Sequence, residues 1–177
     1  MIADKVEGGA EHTNLEFKAR VRDLAAFHAA AARLGAQDAG VLVQVDTYFK
    51  VPQGRLKLRE INGTDAMLIY YDRSEDAAQR WSHFRVAKVV EPEGMKAVLA
   101  HANGLRGVVA KHRHLFLWQD CRIHLDQVEG LGDFIEFEVL SQGGACSDWD
   151  RMETLMTVFG LRDADAIRAS YSDLLGL

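Results

Sequence analysis

The chain alternates apolar and polar residues over short runs, which is the period-two pattern of a strand with one buried face. In the run NLEFKAR, residues 14–20, Leu15, Phe17 and Ala19 share one face and the charged residues share the other. Similar runs, separated by turn residues, predict eight strands, at 14–21, 41–51, 55–61, 66–72, 81–90, 107–118, 121–127 and 133–141. The short turns between consecutive strands indicate antiparallel pairing.

Apolar residues at helical spacing predict four helices, at 22–35, 91–104, 147–160 and 163–176. Asp23 is the predicted N-cap of the first helix, and Gly35 is its predicted end. The chain contains only two prolines and no long linker rich in Gly or Ser. It is therefore predicted to form one domain, 12–177, after a flexible lead, 1–11.

The composition is that of an ordinary globular protein, with 48% hydrophobic and 27% charged residues in a chain of 177. The formal net charge of -5 does not favour a nucleic-acid partner. The two cysteines, Cys121 and Cys146, match neither a disulfide framework nor a zinc-ligand spacing, so a cytoplasmic location is expected. No apolar run reaches membrane-spanning length, and no membrane partner is expected.

The polar faces of the predicted strands carry charge at alternate positions. The residues concerned are Glu16, Lys18 and Arg20; Arg55, Lys57 and Arg59; Lys111 and Arg113; Arg122, His124 and Asp126; and Glu136 and Glu138. One interpretation is an open sheet whose charged face lies in water. The other is a closed barrel whose charged faces point inward, where buried charges need partners or a ligand. A polyanion held by Arg and Lys, and joined to the carboxylates through a divalent cation, would be such a ligand.

The run NLEFKAR resembles the ExExK signature of the CYTH domains, the triphosphate tunnel enzymes. The resemblance continues in VDTYFKVPQGRLKLRE, in KHRHLFLWQDCRIHLDQVEGLGDFIEFEV and in SYSDLLGL, so it spans nearly the whole chain. The stretches HLDQVEGLGDFIEFE and SYSDLLG are more similar to the class IV adenylyl cyclase branch than to the triphosphatase branches. The resemblance implies an α+β fold in which a closed antiparallel β-barrel of about eight strands, with helices packed outside, threads a triphosphate.

The resemblance also implies which residues would hold the substrate and a Mg²⁺ or Mn²⁺ cofactor. The triphosphate would be bound by Lys18, Lys57, Arg59, Lys111 and Arg113, with Arg85 or Lys88 as additions. The metal would be held by Glu16, Glu136 and Glu138, with Asp126 close by. The catalytic set would be Glu16, Glu136, Glu138, Lys111 and Arg113, and the further candidates are Asn14, Arg20, Tyr48, Arg73 and His124.

Two departures from the family pattern concern this site. Asn14 stands where the signature has its first Glu, and an amide oxygen can ligate Mg²⁺ but carries no charge. The strand MLIYYDRSE lacks an expected lysine, and Tyr70, Tyr71 and Arg73 occupy that region. The histidines His112 and His114 fall on the apolar parity of their strand, so we expect them to be packed or at a strand edge rather than to bind metal.

The function implied by the resemblance is an adenylyl cyclase that converts ATP to cyclic AMP and pyrophosphate. A triphosphatase acting on tripolyphosphate, thiamine triphosphate or a nucleoside triphosphate is the first alternative. A non-catalytic binder of polyphosphate or nucleotide is the second, and Asn14 keeps it open. The expected partner is ATP or another triphosphate, and the apolar stripes of the helices allow a homodimer.

Overall fold

Eight antiparallel strands close into a barrel in the computed structural model, which describes residues 11–73, 81–141 and 144–177. The strands are β1 (Glu11–Arg20), β2 (Gln37–Phe49), β3 (Arg55–Ile61), β4 (Asp65–Arg73), β5 (Trp81–Lys88), β6 (Leu105–Trp118), β7 (Cys121–Val128) and β8 (Gly132–Leu140). Their order around the barrel is β1-β5-β4-β3-β2-β6-β7-β8. The ring closes because β1 pairs with β5 on one side and with β8 on the other. The predicted closed barrel with external helices is thus confirmed.

The helices are α1 (Leu24–Leu34), α2 (Pro92–Asn103), α3 (Ala145–Val158) and α4 (Tyr171–Leu174), with a 3-10 turn at Asp163–Asp165. The predicted ends of α1 are confirmed. The Asp23 side chain accepts a hydrogen bond from the Ala26 amide, and Gly35 has the left-handed φ of 75° that ends the helix. The predicted lead at 1–11 lies outside the described residues except for Glu11, which begins β1.

The prediction of one continuous helix over 163–176 is wrong. The Ile167 amide donates to the Lys18 carbonyl at 2.7 Å, so this part of the segment is tied to β1 instead of to its own helix. Ser170 then starts the short α4. Its side chain accepts from the Asp173 amide, and the Asp173 carboxylate accepts from the Ser170 amide, which is a reciprocal capping pair.

The strands with a charged face turn their apolar faces outward, where helices cover most of them, whereas β4 and β5 turn apolar residues such as Ile69 and Val86 inward. Leu15, Phe17 and Phe137 form a core with Met152 and Leu155 of α3, and all five side chains are almost fully buried. A smaller core lies under α2, where Met95 and Leu99 pack against Phe49 and Leu58. Because the apolar faces are outside, the charged faces line the interior. The structure therefore adopts the second of the two arrangements that the alternation allowed.

Part of the outer surface between the helices is apolar and exposed. Val41 and Val43 on β2 and Val108 on β6 are each about half exposed, at 54%, 45% and 51%. A homodimer through such a surface remains a prediction. None of the helices in the described parts of the chain is long and apolar enough to cross a membrane.

Candidate active site inside the barrel

Carboxylates line one side of the barrel interior, on β1, β8 and β7. The strand register places Glu16 opposite Glu138, and Lys18 opposite Glu136, which is itself opposite His124. These side chains share the inner face because they sit at alternate positions of paired strands. The register therefore brings together three predicted metal ligands, Glu16, Glu136 and Glu138, with His124 beside them.

Glu136 is the most buried of these three glutamates and lies among cationic and imidazole groups. Its carboxylate is 3.4 Å from Lys18 Nζ, 3.8 Å from Arg113 Nη2 and 3.6 Å from His124 Nδ1. Burial opposes ionisation, but Lys18, His124 and Arg113 outweigh it and hold the pKa of Glu136 well below its usual range. Glu136 is thus an ionised carboxylate in a dry interior, which is suited to binding a cation.

Asp126 is already held by two side chains. Arg113 donates to both of its oxygens, at 2.7 and 2.6 Å, in the bidentate geometry typical of guanidinium and carboxylate. The Tyr171 hydroxyl donates to the same carboxylate at 2.9 Å. Asp126 therefore positions Arg113 and Tyr171 in this structure, and Arg113 links it to Glu136.

A second buried cluster centres on Asp46 of β2, which the sequence analysis did not select. Asp46 is 1% exposed and accepts hydrogen bonds from Lys57 at 3.0 Å, from Arg59 at 2.7 Å for each of two nitrogens, and from Lys111 at 3.3 Å. Three predicted phosphate-binding residues, from β3 and β6, thus converge on one carboxylate. The alternation of Gln44, Asp46 and Tyr48 in VQVDTYF was the available signal, since it places Asp46 on the polar face.

Lys111 has an unusual protonation equilibrium. Burial lowers its pKa, Asp46 raises it, and the charges of Arg59 and Arg113 lower it further, to about 7. The charge of Asp126 also raises the pKa of Lys111. Lys111 is therefore only partly protonated near neutral pH, whereas a bound phosphate would favour its charged form.

We expect triphosphate binding to be accompanied by proton uptake above pH 7. In the free protein Lys111 is mostly charged below pH 7 and mostly neutral above it, so the affinity falls as pH rises from 7 towards 9. The decrease reaches about tenfold per pH unit at its steepest. Calorimetry with tripolyphosphate in buffers of different ionisation enthalpy would measure this uptake.

The matched variant for this measurement is Lys111→Arg, because Arg stays charged over the whole pH range. It should bind tripolyphosphate with little proton uptake, and the exposed Lys50→Arg change should leave the uptake as in the wild type. Equal proton uptake by Lys111→Arg and the wild type would contradict the assignment.

The interior contains polar atoms whose bonding capacity is unused. Among the residues that the structure describes, His124 Nδ1 and Asn14 Oδ1 are buried without a hydrogen-bond partner. Burial, with the charge of Arg113, lowers the pKa of His124, so its ring is neutral and can offer a lone pair. One ligand atom each from His124, Glu136 and Glu138 lie within 4.8 Å of one another. Carboxylates, a neutral imidazole and an amide oxygen are donors that a divalent cation accepts, so the residues present fit such an ion.

The C-terminal segment closes over this site. The Tyr171 ring lies 4.4 Å from Lys18 Nζ and 5.3 Å from Lys111 Nζ, so both ammonium groups contact its face. Asp173 pairs with Arg55 of β3 at 2.7 Å and with Arg106 of β6 at 3.1 Å. Two strands of the barrel therefore hold α4 in place, and Tyr171 reaches the charged interior.

Replacing Tyr171 by Phe should lower the free energy of unfolding by about 1–2 kcal/mol, because the hydrogen bond to the buried Asp126 is lost. Burial and the Asp126 charge raise the pKa of Tyr171 well above its usual value, so the hydroxyl is a donor throughout the accessible pH range. Urea unfolding would measure the change, with Tyr70→Phe on the outer, partly exposed face as the control. Equal stability of Tyr171→Phe and the wild type would contradict this role of the hydroxyl.

The remaining predicted residues lie away from the centre of this cluster. Arg85 points outside the barrel and pairs with Glu11 at 2.7 Å, so its inclusion among the phosphate-binding residues is corrected. Its parity is opposite to that of Lys88, which is exposed at the end of β5. Arg20 is exposed and donates to the Leu131 carbonyl.

Four further residues from the sequence analysis, two site candidates and two histidines, have the following positions. Tyr48 is buried, with Lys57 Nζ 5.5 Å from its ring centre. The side chain of Arg73 lies outside the part of the chain that the structure describes. His112 is exposed on the outer face, and His114 stacks on Phe116 there, so both follow the predicted parity.

The fold has close relatives among solved structures. A protein of Pyrococcus horikoshii has a TM-score of 0.83 at 24% identity, with 91% of this chain and 98% of that chain covered. A candidate adenylate cyclase from Vibrio parahaemolyticus has a TM-score of 0.77 at 22% identity, with 97% and 100% covered. A candidate adenylyl cyclase from Hippeastrum, whose name records a dominant triphosphatase activity, has a TM-score of 0.65 at 16% identity, with 93% and 95% covered. At these identities the likeness shows a shared fold.

A family model supplies the stronger relationship. Among curated proteins, no relative matches this chain significantly. The model of the CYTH domain, in contrast, matches residues 12–171, which include all eight strands except the first residue of β1. The match covers the carboxylates, the basic cluster and Tyr171. The chain is therefore a member of the CYTH domain family.

Proposed function

We propose that the barrel interior binds a triphosphate together with a divalent cation, and that it converts ATP to cyclic AMP and pyrophosphate. The observation that carries this proposal is the meeting of two groups inside one closed barrel. Carboxylates of β1 and β8 lie on one side, and the Lys and Arg side chains of β3 and β6 lie on the other. A metal-bound polyphosphate needs both groups at once.

The basic cluster supports phosphate binding by its geometry. Lys57, Arg59 and Lys111 all reach the two oxygens of Asp46 within 3.3 Å. Arg113 lies beside them on the same strand as Lys111 and is buried. Guanidinium and ammonium groups that converge on one carboxylate are also placed to bind phosphate oxygens, with which they form the same charge-assisted hydrogen bonds.

In the proposed reaction the ribose 3′-oxygen forms a bond to the α-phosphorus and the bond from this phosphorus to the bridging αβ-oxygen breaks. The electron pair of that bond leaves with pyrophosphate, and the 3′-hydroxyl proton is lost to solvent. Lys111, Arg113 and Arg59 stabilise the negative charge that develops on the leaving group. A divalent cation held by Glu16, Glu136 and Glu138 would polarise the phosphoryl oxygens and favour loss of the hydroxyl proton.

We propose a cyclase and not a hydrolase because two stretches of the sequence resemble the class IV cyclase branch. They form one structural unit, in which Tyr171 of SYSDLLG donates to Asp126 of HLDQVEGLGDFIEFE. Tyr171 also packs edge-on against Phe134, with ring centres 5.0 Å apart. The features that separate the branches in sequence therefore meet at the proposed site.

Triphosphate hydrolysis is the second candidate. The Asp46 cluster would contact the phosphates and the glutamates would hold the cation, and this arrangement would serve water as a nucleophile equally well. Asn14 supports a third reading, a binder without turnover, since this buried amide replaces a carboxylate of the family signature.

Product analysis would separate the three functions. The protein would be incubated with ATP, and separately with tripolyphosphate, in Mg²⁺ or Mn²⁺, and the products would be resolved by chromatography. Cyclic AMP with an equal amount of pyrophosphate supports the proposal. Phosphate without a cyclic product supports the hydrolase, and tight binding without turnover supports the binder.

A further inference from the structure

We propose that His124 is a nitrogen ligand of the bound cation, and that it makes the site bind first-row transition ions such as Mn²⁺ and Co²⁺ more tightly than Mg²⁺. This inference rests on the metal site of the proposed function. It adds a ligand that the glutamate signature does not contain, and it assigns to that ligand the choice of ion.

The position of the imidazole is the first argument. His124 is 3% exposed and points into the barrel from β7, opposite Glu136 on β8. Its Nδ1 is 3.6 Å from one oxygen of Glu136 and 3.9 Å from one oxygen of Glu138. Both distances exceed normal hydrogen-bond length, and Nδ1 has no other hydrogen-bond partner within 11–73, 81–141 and 144–177. A buried polar atom without a partner is costly, and a ligand between the three groups would satisfy it.

The spacing is the second argument. Atoms that ligate one ion at about 2.0–2.2 Å are held about 3–4 Å apart from one another. The distances of Nδ1 to the two carboxylate oxygens fall in this interval. An imidazole that only supported the glutamates would instead donate a hydrogen bond to one of them at about 2.7–3.2 Å.

The choice of ion follows from the ligand chemistry. Mg²⁺ prefers oxygen ligands and gives up its bound water reluctantly, whereas transition ions readily accept an imidazole nitrogen. Adding one imidazole to the carboxylates therefore discriminates against Mg²⁺ more than the carboxylates alone would. Asn14 replaces a carboxylate on β1 and so removes charge that would otherwise favour Mg²⁺, and its buried amide oxygen has no hydrogen-bond partner in the described part of the chain.

The test uses the full-length protein loaded with Mn²⁺ alone, without nucleotide. Pulsed electron paramagnetic resonance detects ¹⁴N coupled to the ion, and competition titrations give the Mn²⁺ and Mg²⁺ dissociation constants. We expect ¹⁴N coupling in the wild type and a preference for Mn²⁺ of about tenfold or more. In His124→Gln the coupling should disappear and the Mn²⁺ affinity should fall by about tenfold or more, while the Mg²⁺ affinity changes less than about threefold.

A second group of histidines requires a control. On the outer surface His114 Nε2 is 2.7 Å from Asp38, and the His28 ring centre is 4.5 Å from that of His114. The ¹⁴N coupling should persist in His114→Gln and in His112→Gln, since neither side chain points into the barrel. If the coupling disappears in His114→Gln instead, the nitrogen belongs to the outer cluster and the inference is wrong.

A glutamate variant separates this inference from the metal site itself. Suppose that Glu136→Gln loses Mn²⁺ binding but the wild type shows no ¹⁴N coupling. This result would support the glutamate site and overturn the role of His124. Mn²⁺ binding that neither Glu136→Gln nor Glu138→Gln weakens would overturn both the inference and the metal site of the proposed function. The wild-type spectrum decides the ligand even if His124→Gln does not fold.

Discussion

Glu136→Gln is expected to lower metal-dependent turnover on the order of 10³-fold while the barrel stays folded. Gln keeps the size of the side chain and removes its charge. Glu136 is the ionised carboxylate that Lys18, Arg113 and His124 surround, and it is the most buried of the three proposed glutamate ligands, so its loss removes a charge at the centre of the site. Initial rates with ATP, and with tripolyphosphate, at saturating Mn²⁺ would measure the loss.

The exposed Glu129→Gln change in the turn after β7 is the matched control, and its rates should equal those of the wild type. Circular dichroism of Glu136→Gln should retain the signature of the barrel. Wild-type activity in Glu136→Gln would remove this residue from the site, and with it the proposed arrangement of ligands.

The largest effect on stability is expected for Asp46→Asn. Asp46 is the shared partner of Lys57, Arg59 and Lys111, and all three lie inside the barrel. Without the carboxylate the charges of Lys57 and Arg59 are left without this partner in a poorly solvated interior, and the pKa of Lys111 falls further because Asp46 no longer raises it. Breaking a buried charge pair from one side costs about 3–5 kcal/mol, and we expect a decrease of that size in the free energy of unfolding.

A polyanion should reverse this loss. If the three basic groups bind phosphate, tripolyphosphate supplies the missing negative charge, and it should stabilise Asp46→Asn more than it stabilises the wild type. Urea unfolding with and without tripolyphosphate would measure both effects, with the exposed Asp150→Asn as the control. Stability equal to the wild type, or no gain from tripolyphosphate, would show that the cluster does not act as described.

The barrel and its inward charges could be predicted because both depend on a local pattern. The period of two in NLEFKAR and in the later strands fixed which residues share a face, and all eight strands were located. The parity alone allowed both an open sheet and a barrel, and it favoured the open sheet, which is the commoner arrangement of antiparallel strands. The resemblance to the family decided between them, because closure depends on β1 meeting β8, which no local pattern encodes.

The sequence predictions were wrong or incomplete where the position of a residue or helix depends on strand register or on tertiary contacts. Arg85 and Lys88 have opposite parity, and only the pairing of β5 with β1 and β4 shows that Arg85 faces outward. Asp46 was overlooked because it is a single acid among apolar residues, and its three partners come from other strands. The end of the C-terminal segment was mispredicted although Ser170 and Asp173 have the spacing of a capping box.

The closure of β1 between β5 and β8 also determines when this protein can finish folding. During synthesis β1 emerges first, but one of its two neighbours begins only at Gly132. Until then one edge of β1 is unpaired, and the side chains of Leu15 and Phe17 lack part of their final packing. Pairings so distant along the chain typically make folding slow, on the millisecond-to-second scale. We therefore expect the nascent chain to expose an unpaired, aggregation-prone strand edge until β8 is synthesised. A chain truncated before β8 should aggregate.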